Sequence, residues 1–224
     1  MEKAPFLTVD SVIFSFDESA LKLLLVKRAI DPFNDQWSLP GGMVAGAKGN
    51  TLEAIARDKL MIKSGVDVDY IEQVFTTGND QRDPRGWSVS VVYSALIPYQ
   101  AAHHNADWVA DAAWFKVDEL ASMRLAFDHQ DIIQVALERL RQKSLYSIVA
   151  GYALPAPFTL SQLQHIHEVI LGKPIQAKSF RRRIEQADLL EPAGEIQLDR
   201  GRPAALFRMK PAARKYTFVR NLDG

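Results

Sequence analysis

Residues 37–66, WSLPGGMVAGAKGNTLEAIARDKLMIKSGV, join a stretch that suits no regular element to a helix whose two ends are written in its own sequence. Proline and glycine punctuate the first part, so residues 31–50 are expected as loop. Apolar Leu52, Ile55, Ala56 and Leu60 then recur at helical spacing, which gives the helix one stripe to bury. Asn50 or Thr51 can cap it, Glu53 stands three residues after Asn50 as in a capping box, and Gly65 suits the left-handed residue that ends it. The rest of the chain must supply a layer for that stripe.

Strand patterns on either side supply it. TVDSVIFSF alternates, LKLLLVKRA is a buried-strand run, and DYIEQVFTTG, WSVSVVYSALI and AAWFKVDEL follow; DHQDIIQVALERLRQKS is a second helix by periodicity. Several strands with only two substantial helices predict an α+β chain whose first part is an α/β/α sandwich around a mixed sheet, not a doubly wound parallel sheet. From about residue 145 the pattern changes. SLYSIVAGYAL reads as helical, TLSQLQHIHEVILG as an amphipathic helix capped by Thr159 with Gln162 and ended by Gly172, and AKSFRRRIEQADLL as a third helix. GEIQLDRGRPAALFRMK then reads as strand, turn and strand with its tip at Asp199–Arg200–Gly201. Three helices and a hairpin outline a winged helix-turn-helix, so the expected domains are 1–144 and 145–224.

Charge separates the same two parts. Residues 155–224 hold 12 Lys+Arg and 7 Asp+Glu, a net of +5, against 15 and 20, a net of −5, in 1–154; together they give the overall zero. A basic tail on an acidic body points to an anionic partner, nucleic acid first. Lys178, Ser179, Arg181, Arg182 and Arg183 sit on the first turns of the third helix, where a helix-turn-helix meets bases and phosphates. Arg200, Arg202 and Arg208 lie in the hairpin, within reach of phosphate or minor groove. A protein-binding winged helix with a basic surface is the alternative. No aromatics interleave these arginines as they do in single-strand binders, so double-stranded DNA is the expected target. No apolar run approaches the roughly 20 residues of a membrane span, and MEKAPFLTVD is not a signal peptide, so neither membrane insertion nor export is expected. The absence of cysteine excludes disulfides and thiolate chemistry and suits a reducing cytoplasm.

The stretch WSLPGGMV…TLEAIARDKLMIKSGV resembles a Nudix box: glycine, five residues, Glu, seven residues, Arg-Glu-aliphatic, one residue, Glu-Glu, one residue, Gly-aliphatic. Anchored on Leu60, Gly65 and Val66, the Arg-Glu pair falls on Asp58–Lys59, the Glu-Glu pair on Ile62–Lys63 and the first Glu on Asn50, with a loop two residues longer. The resemblance implies that carboxylates at these positions would share a helical face and hold magnesium over a pyrophosphate. Here that face offers two ammonium groups and an isoleucine. Two unit charges ~4 Å apart exchange roughly 4 kcal/mol at an effective dielectric of 20, so a divalent ion would be repelled. No metal site and no catalytic residue are therefore expected. Lys59 and Lys63 are either an inert solvated face or a replacement for part of the metal's charge.

On composition alone RDPRGW, with Arg82, Asp83 and Arg85, is a solvated charged turn. Together with TTGND before it and LAFDH after, it resembles the ADP-ribose-type Nudix relatives, a pattern to which Arg28, Trp37, Gly41 and Gly42 also belong. Guanidiniums and glycine backbone then serve phosphate or ribose, and Trp37 or Phe127 serves an adenine. His129 reads as structural with a ligand contact open to it, and His103–His104 as loop residues. With FTLSQLQHIHEVILGK…SFRRRIEQADLL…GRPAALFR, the chain resembles over residues 6–215 the Nudix-related transcriptional regulators of NAD metabolism, the NrtR family. The resemblance implies a homodimeric repressor on palindromic operators of NAD-synthesis or salvage genes, released by ADP-ribose as effector; no cofactor is expected to be required, and a cytoplasmic location is expected. An active Nudix pyrophosphohydrolase with an appended regulatory domain is the competing class. The helix beginning DIIQVALERLRQKS joins the two parts and is the candidate for transmitting the effector's presence.

Overall fold

A computed structural model describes residues 4–17, 19–44, 50–104, 106–196 and 203–223. The chain divides into two compact units, Met1–Ala95 with Tyr99–Leu137, and Leu96–Pro98 with Glu138–Gly224. The first unit is built on the strands β1 (Phe6–Asp17), β2 (Ala20–Arg28), β3 (Trp37–Ser38), β4 (Gly41–Met43), β5 (Glu72–Asn79), β6 (Ser88–Pro98) and β7 (Val109–Lys116), with helix α1 (Leu52–Ser64) and the start of α2 (His129–Tyr146). The sheet runs β3-β2-β1-β6-β5, with β4 also on β1 and β7 also on β2. Contacts of β1 with β6 advance in step, from the Phe6 amide to the Trp87 carbonyl, through Thr8 Oγ1 to the Val89 carbonyl, to Ser94 Oγ on the Val12 carbonyl. That pair is parallel while the others are antiparallel, so the sheet is mixed as the strand pattern predicts. Val9, Val12, Ile13, Phe14, Leu23, Leu24 and Leu25 are buried, because these central strands are covered on both faces.

Two local expectations need correcting. Residues 37–43 are not all loop. Trp37–Ser38 pairs with Lys27 and Val26, and Gly41–Met43 pairs with Thr8 to Asp10, since the long edges of β1 and β2 offer free hydrogen-bonding groups. The α1 cap is Thr51, whose side chain accepts from the Ala54 amide; Ala54 has nothing to return, so there is no capping box, and Glu53 pairs with Arg57 instead. The buried stripe is Ile55, Ala56, Leu60 and Ser64, and α1 packs on β1, β4 and β7.

The second unit holds the rest of α2, a 3-10 turn at Val149–Ala153, β8 (Phe158–Thr159), α3 (Leu160–Leu171), α4 (Ala177–Ala187), β9 (Leu190–Ile196) and β10 (Ala204–Met209). SLYSIVAGYAL is thus only partly α-helical. Its first residues close α2 and a 3-10 turn follows, with Gly151 packed beneath Met209. The Thr159/Gln162 capping box is present and Gly172 ends α3 with φ 69°. β9 and β10 form the antiparallel wing, with β8 on the far side of β10; the wing tip lies outside the described residues. No described helix is long and apolar enough to cross a membrane.

Gly65 closes α1 for two reasons. Its φ is 66°, and a Cβ there would lie 2.3–2.7 Å from the His103 ring, which is docked by the bond from the His103 amide to the Ser64 carbonyl. Gly65→Ala is therefore expected to lose about 1–2 kcal/mol to the left-handed backbone alone, plus the cost of displacing His103. Chemical denaturation should show that His103→Ala in the same chain restores the second part and not the first.

Candidate functional site

The first unit carries a cleft of about 250 Å³ where β1, the end of β2, β4, α1, the β5–β6 turn and the start of α2 converge. Its floor is organised by Asp10, a carboxylate set in the apolar run of β1 and buried. Gly41 faces it across the β1–β4 ladder, and a Cβ on Gly41 would lie 2.3 Å from Asp10 Oδ1. Ser90 Oγ donates to Asp10 Oδ2 at 2.5 Å, Arg82 Nη2 lies 3.5 Å from the same oxygen, and His129 Nε2 lies 3.7 Å from Oδ1. A buried carboxylate requires such partners, because isolated burial of its charge is prohibitive.

Arg82 is committed to structure. Its Nε and Nη2 donate to the two carboxylate oxygens of Asp128 at 2.9 and 3.0 Å, and Nη1 donates to Ser88 Oγ at 3.2 Å. The fork pairing ties the β5–β6 turn to the residue preceding α2. His129 Nδ1 accepts the Leu39 amide at 2.9 Å, which leaves Nε2 to carry the proton toward Asp10. Burial pushes the pKa of His129 down, so the ring is neutral at physiological pH. Asp83 and Arg85 form a second pair through the same turn, with Arg85 Nε and Nη2 donating at 2.9 and 2.6 Å. Burial alone would raise the Asp83 pKa, but the bonds and charge of Arg85 hold it below the usual carboxylate range. The Asp83 carboxylate is 3% exposed and the Arg85 side chain 41%, so it is the guanidinium that meets the cleft's solvent.

Arg28 donates from Nε to the Pro32 carbonyl at 2.8 Å and lies 5.0 Å over the Phe127 ring, which also meets Phe33 edge-on at 4.7 Å. Phe127 has φ 57°, a conformation that costs a non-glycine residue about 1 kcal/mol or more; the Ala126 amide on the Trp37 carbonyl helps to hold it.

Lys59, Ile62 and Lys63 face the cleft from α1, opposite the glycine backbone of β4. A Cβ on Gly42 would sit 3.6 Å from Lys59 Cδ and 3.9 Å from Lys63 Nζ. Neither lysine has an ion-pair partner among the described residues. Burial, then the charges of Arg28, Lys59 and Arg85, lower the Lys63 pKa to about 8 against a partial opposing pull from Asp10. The described residues contain no cluster of three or more His, Asp or Glu able to hold a metal ion. What the cleft offers is a concentration of cations for an anionic group.

Arg28, Gly41, Gly42, Lys59, Lys63, Arg82, Asp83, Arg85, Phe127 and His129 thus all line one cleft. Trp37 does not. It lies in β3 with its ring edge-on to Phe115 at 4.7 Å, packed with the protein and away from the lining. The sequence reading missed Thr8, Asp10, Ile30, Leu39, Met43 and Trp108, which also line it, as does Ile62 on the α1 face already singled out with Lys59 and Lys63. Only Asp10 carried a signal, a lone acid inside a strand that reads as core.

In the second unit Phe180 and Ile184 are buried as their spacing predicts. Lys178, Arg181 and Arg182, three and four apart, share the exposed side of α4, with Arg181 Nη2 donating to Ser161 Oγ at 3.3 Å. Ser179 and Arg183 are half-buried, so they are less open than the sequence reading assumed. Arg208 is exposed on β10 opposite Glu191, while Arg200 and Arg202 lie outside the described residues.

Family models match both units: the NUDIX domain at residues 5–136 and the NrtR DNA-binding winged helix domain at 150–209. The chain is 39% identical over 220 residues, 98% of its length and 88% of the relative's, to the ADPR responsive transcriptional repressor NtrR of Acinetobacter baylyi. It is similar over 96% of its length to 98% of the chain in the crystal structure of Shewanella oneidensis NrtR complexed with a 27mer DNA, at 51% identity and a TM-score of 0.88. Over 62% of its length it is similar to 90% of the NUDIX domain of Shewanella oneidensis NrtR complexed with ADP ribose, at 45% identity and a TM-score of 0.60.

The Lys63 titration gives a test of the cleft's electrostatics. Its pKa falls from 10.5 in the unfolded chain to about 8, so between these values the folded state binds fewer protons than the unfolded state. Stability therefore rises with pH across that window, by at most about 3 kcal/mol from this group. Below pH 8 the group's cost is fully present. Denaturation of Lys63→Met at pH 7.5 and 10 should show the variant stabilised relative to the parent at the lower pH, with the advantage shrinking at the higher.

Proposed function

Since the chain belongs to the NrtR family, which joins a NUDIX domain to an NrtR DNA-binding winged helix domain, we propose that it is a DNA-binding transcriptional repressor that senses ADP-ribose and does not hydrolyse it. One observation carries the reading. α1, the helix that in a Nudix enzyme presents carboxylates to metal, here turns Lys59, Ile62 and Lys63 toward a cleft already bearing Arg28 and Arg85. Such a site attracts a pyrophosphate and lacks the ligands that would activate water over it. A sensor must keep its ligand intact, and this donor set favours holding over cleaving.

In this reading Lys59, Lys63, Arg28 and Arg85 take the pyrophosphate and the Gly41–Gly42 backbone admits it closely, while Asp83, held by Arg85, and His129, held between the Leu39 amide and Asp10, shape the floor beneath the ribose. Arg82 acts one step back, through Asp128 and Asp10. Binding requires no metal or other cofactor. The exposed face of α4, Lys178, Arg181 and Arg182, enters the major groove, while Ser179, Arg183 and wing residues Arg200, Arg202 and Arg208 add phosphate contacts. A homodimer on a palindromic operator of NAD-metabolism genes follows from two-fold recognition, and the cytoplasm is where both ligands meet. ADP-ribose releases DNA by binding the DNA-incompetent state more tightly. α2 begins at the cleft with His129 and continues as one helix into the second unit, which makes it the covalent route for that coupling.

Mobility shift on the DNA upstream of NAD-synthesis genes, with and without ADP-ribose, tests this. The expected outcome is a shift that ADP-ribose abolishes; Arg208→Ala should lower the slope of log affinity against log salt by about 1, while Arg182→Ala should cost about 1–3 kcal/mol and relax sequence preference. A parallel incubation of ADP-ribose with magnesium or manganese should return the nucleotide uncleaved. Turnover that a chelator removes would return the chain to the pyrophosphohydrolases.

A further inference from the structure

We infer that residues 210–223 form a strap that fastens the end of α2 to the end of α4, and that this strap passes the effector's signal from α2 to the DNA-reading helix. The inference rests on the ADP-ribose-sensing reading above and deepens it. α2 starts at the cleft and runs into the second unit, but α4 lies beyond a 3-10 turn and a further helix along the chain.

An α-helix leaves its last carbonyls without partners inside the helix. α2 is followed by Ser147–Ile148–Val149, so no glycine stands where a left-handed residue would close it. Ser147 Oγ donates to the Lys143 carbonyl at 2.8 Å. The last two carbonyls are met by residues that come after the wing. The Leu222 amide donates to the Leu145 carbonyl at 2.6 Å, and the Phe218 amide to the Tyr146 carbonyl at 2.7 Å. Leu222 is fully buried and anchors this end, while Asp223 Oδ2 lies 2.6 Å from Nζ of Lys173, the residue after the glycine that ends α3.

The other end of the strap is fastened to the reading helix. α4 stops at Asp188, whose φ of 51° is left-handed. Lys210, which follows β10, holds this corner twice. Its amide donates to the Leu189 carbonyl at 2.9 Å, and its Nζ lies 2.7 Å from Asp188 Oδ1. Between the two ends the Arg214 guanidinium lies 5.6 Å from the centre of the Tyr152 ring, in the 3-10 turn that follows α2. Ala213 and Leu222 are the only buried side chains of residues 211–223, and Tyr216, Val219 and Arg220 are exposed. A segment held at separate points with so little buried apolar surface opens at a lower free energy than the core beneath it.

The strap closes the path from α2 through α3 to α4 into a ring. While it is docked, a shift of the last turn of α2 reaches the α4 cap and β10 directly. Once it is released, the cleft and the reading helix each keep their own ligand and stop influencing one another. Such coupling is a free energy shared by two sites, equal in both directions.

Titration of the full chain with ADP-ribose and with the upstream DNA, each alone and each in the presence of the other, measures that coupling. Leu222→Asp places a charge in a buried site and should undock the strap, whereas Leu222→Met conserves volume and should not. The chain has no cysteine, so a nitroxide on Val219→Cys reports docking, and its spectrum should sharpen with Leu222→Asp alone. In the parent and in Leu222→Met, ADP-ribose is expected to weaken DNA binding by roughly 5-fold or more. In Leu222→Asp that factor should fall to within about twofold of unity, with each ligand alone bound within about threefold of the parent. Arg214→Ala combined with Asp223→Lys, which alters only the outer contacts, should give an intermediate factor. Coupling that persists while the label shows the strap free would overturn the inference. So would loss of effector-free DNA binding in both Leu222→Asp and the double variant, since the strap would then be part of the winged helix's frame. A parent chain that binds no ADP-ribose, or binds it without any effect on DNA, would defeat the effector reading itself.

Discussion

The buried carboxylate of Asp10 is the constraint from which the cleft follows. A charge in the middle of β1 must be met from several sides, and the groups that meet it come from separate parts of the chain: Ser90 on β6, Arg82 on the β5–β6 turn, and His129 at the start of α2. Each is then pinned by a second partner, Arg82 by Asp128 and His129 by the Leu39 amide. Gly41 is the price of this arrangement on the β4 side, since any side chain there would strike the carboxylate. The network is internally balanced and closes the floor. That leaves Arg28, Lys59, Lys63 and the exposed guanidinium of Arg85 as the charge available to a ligand.

Balance of this kind separates residues that resemblance alone treats alike. Arg82 sits in the same short turn as Arg85 and looks equivalent in sequence. One is 3% exposed and spent on Asp128, the other 41% exposed and open to the cleft. Trp37 shows the same limit. Its place in the loop before Gly41 suggests a ligand-facing ring, but two backbone pairs with β2 make it a strand residue and turn the ring onto Phe115.

Much of the fold was legible because it is locally encoded. The stripe of α1, its glycine stop, the Thr159/Gln162 box and the buried Phe180–Ile184 pair all depend on neighbours within a few residues. What escaped depends on pairing across long separations. The short strands β3 and β4 exist only because β2 and β1 lie beside them, and Trp108 joins the cleft only because its carbonyl holds the Ala29 amide, 79 residues back along the chain. Asp10 was half legible, as a buried acid whose partners no local pattern named. Family resemblance supplied what periodicity lacked, the joint meaning of a Nudix-like helix that turns Lys59, Ile62 and Lys63 to the cleft and a basic winged helix.

The central claim is that resident cations do here what a bound metal does in the enzymes. Calorimetric titration of ADP-ribose into the full chain, once with excess chelator and once with magnesium, addresses it most directly. The account predicts the same affinity in both, with one nucleotide bound per cleft and recovered intact afterwards. Binding that appears only when magnesium is present would contradict it.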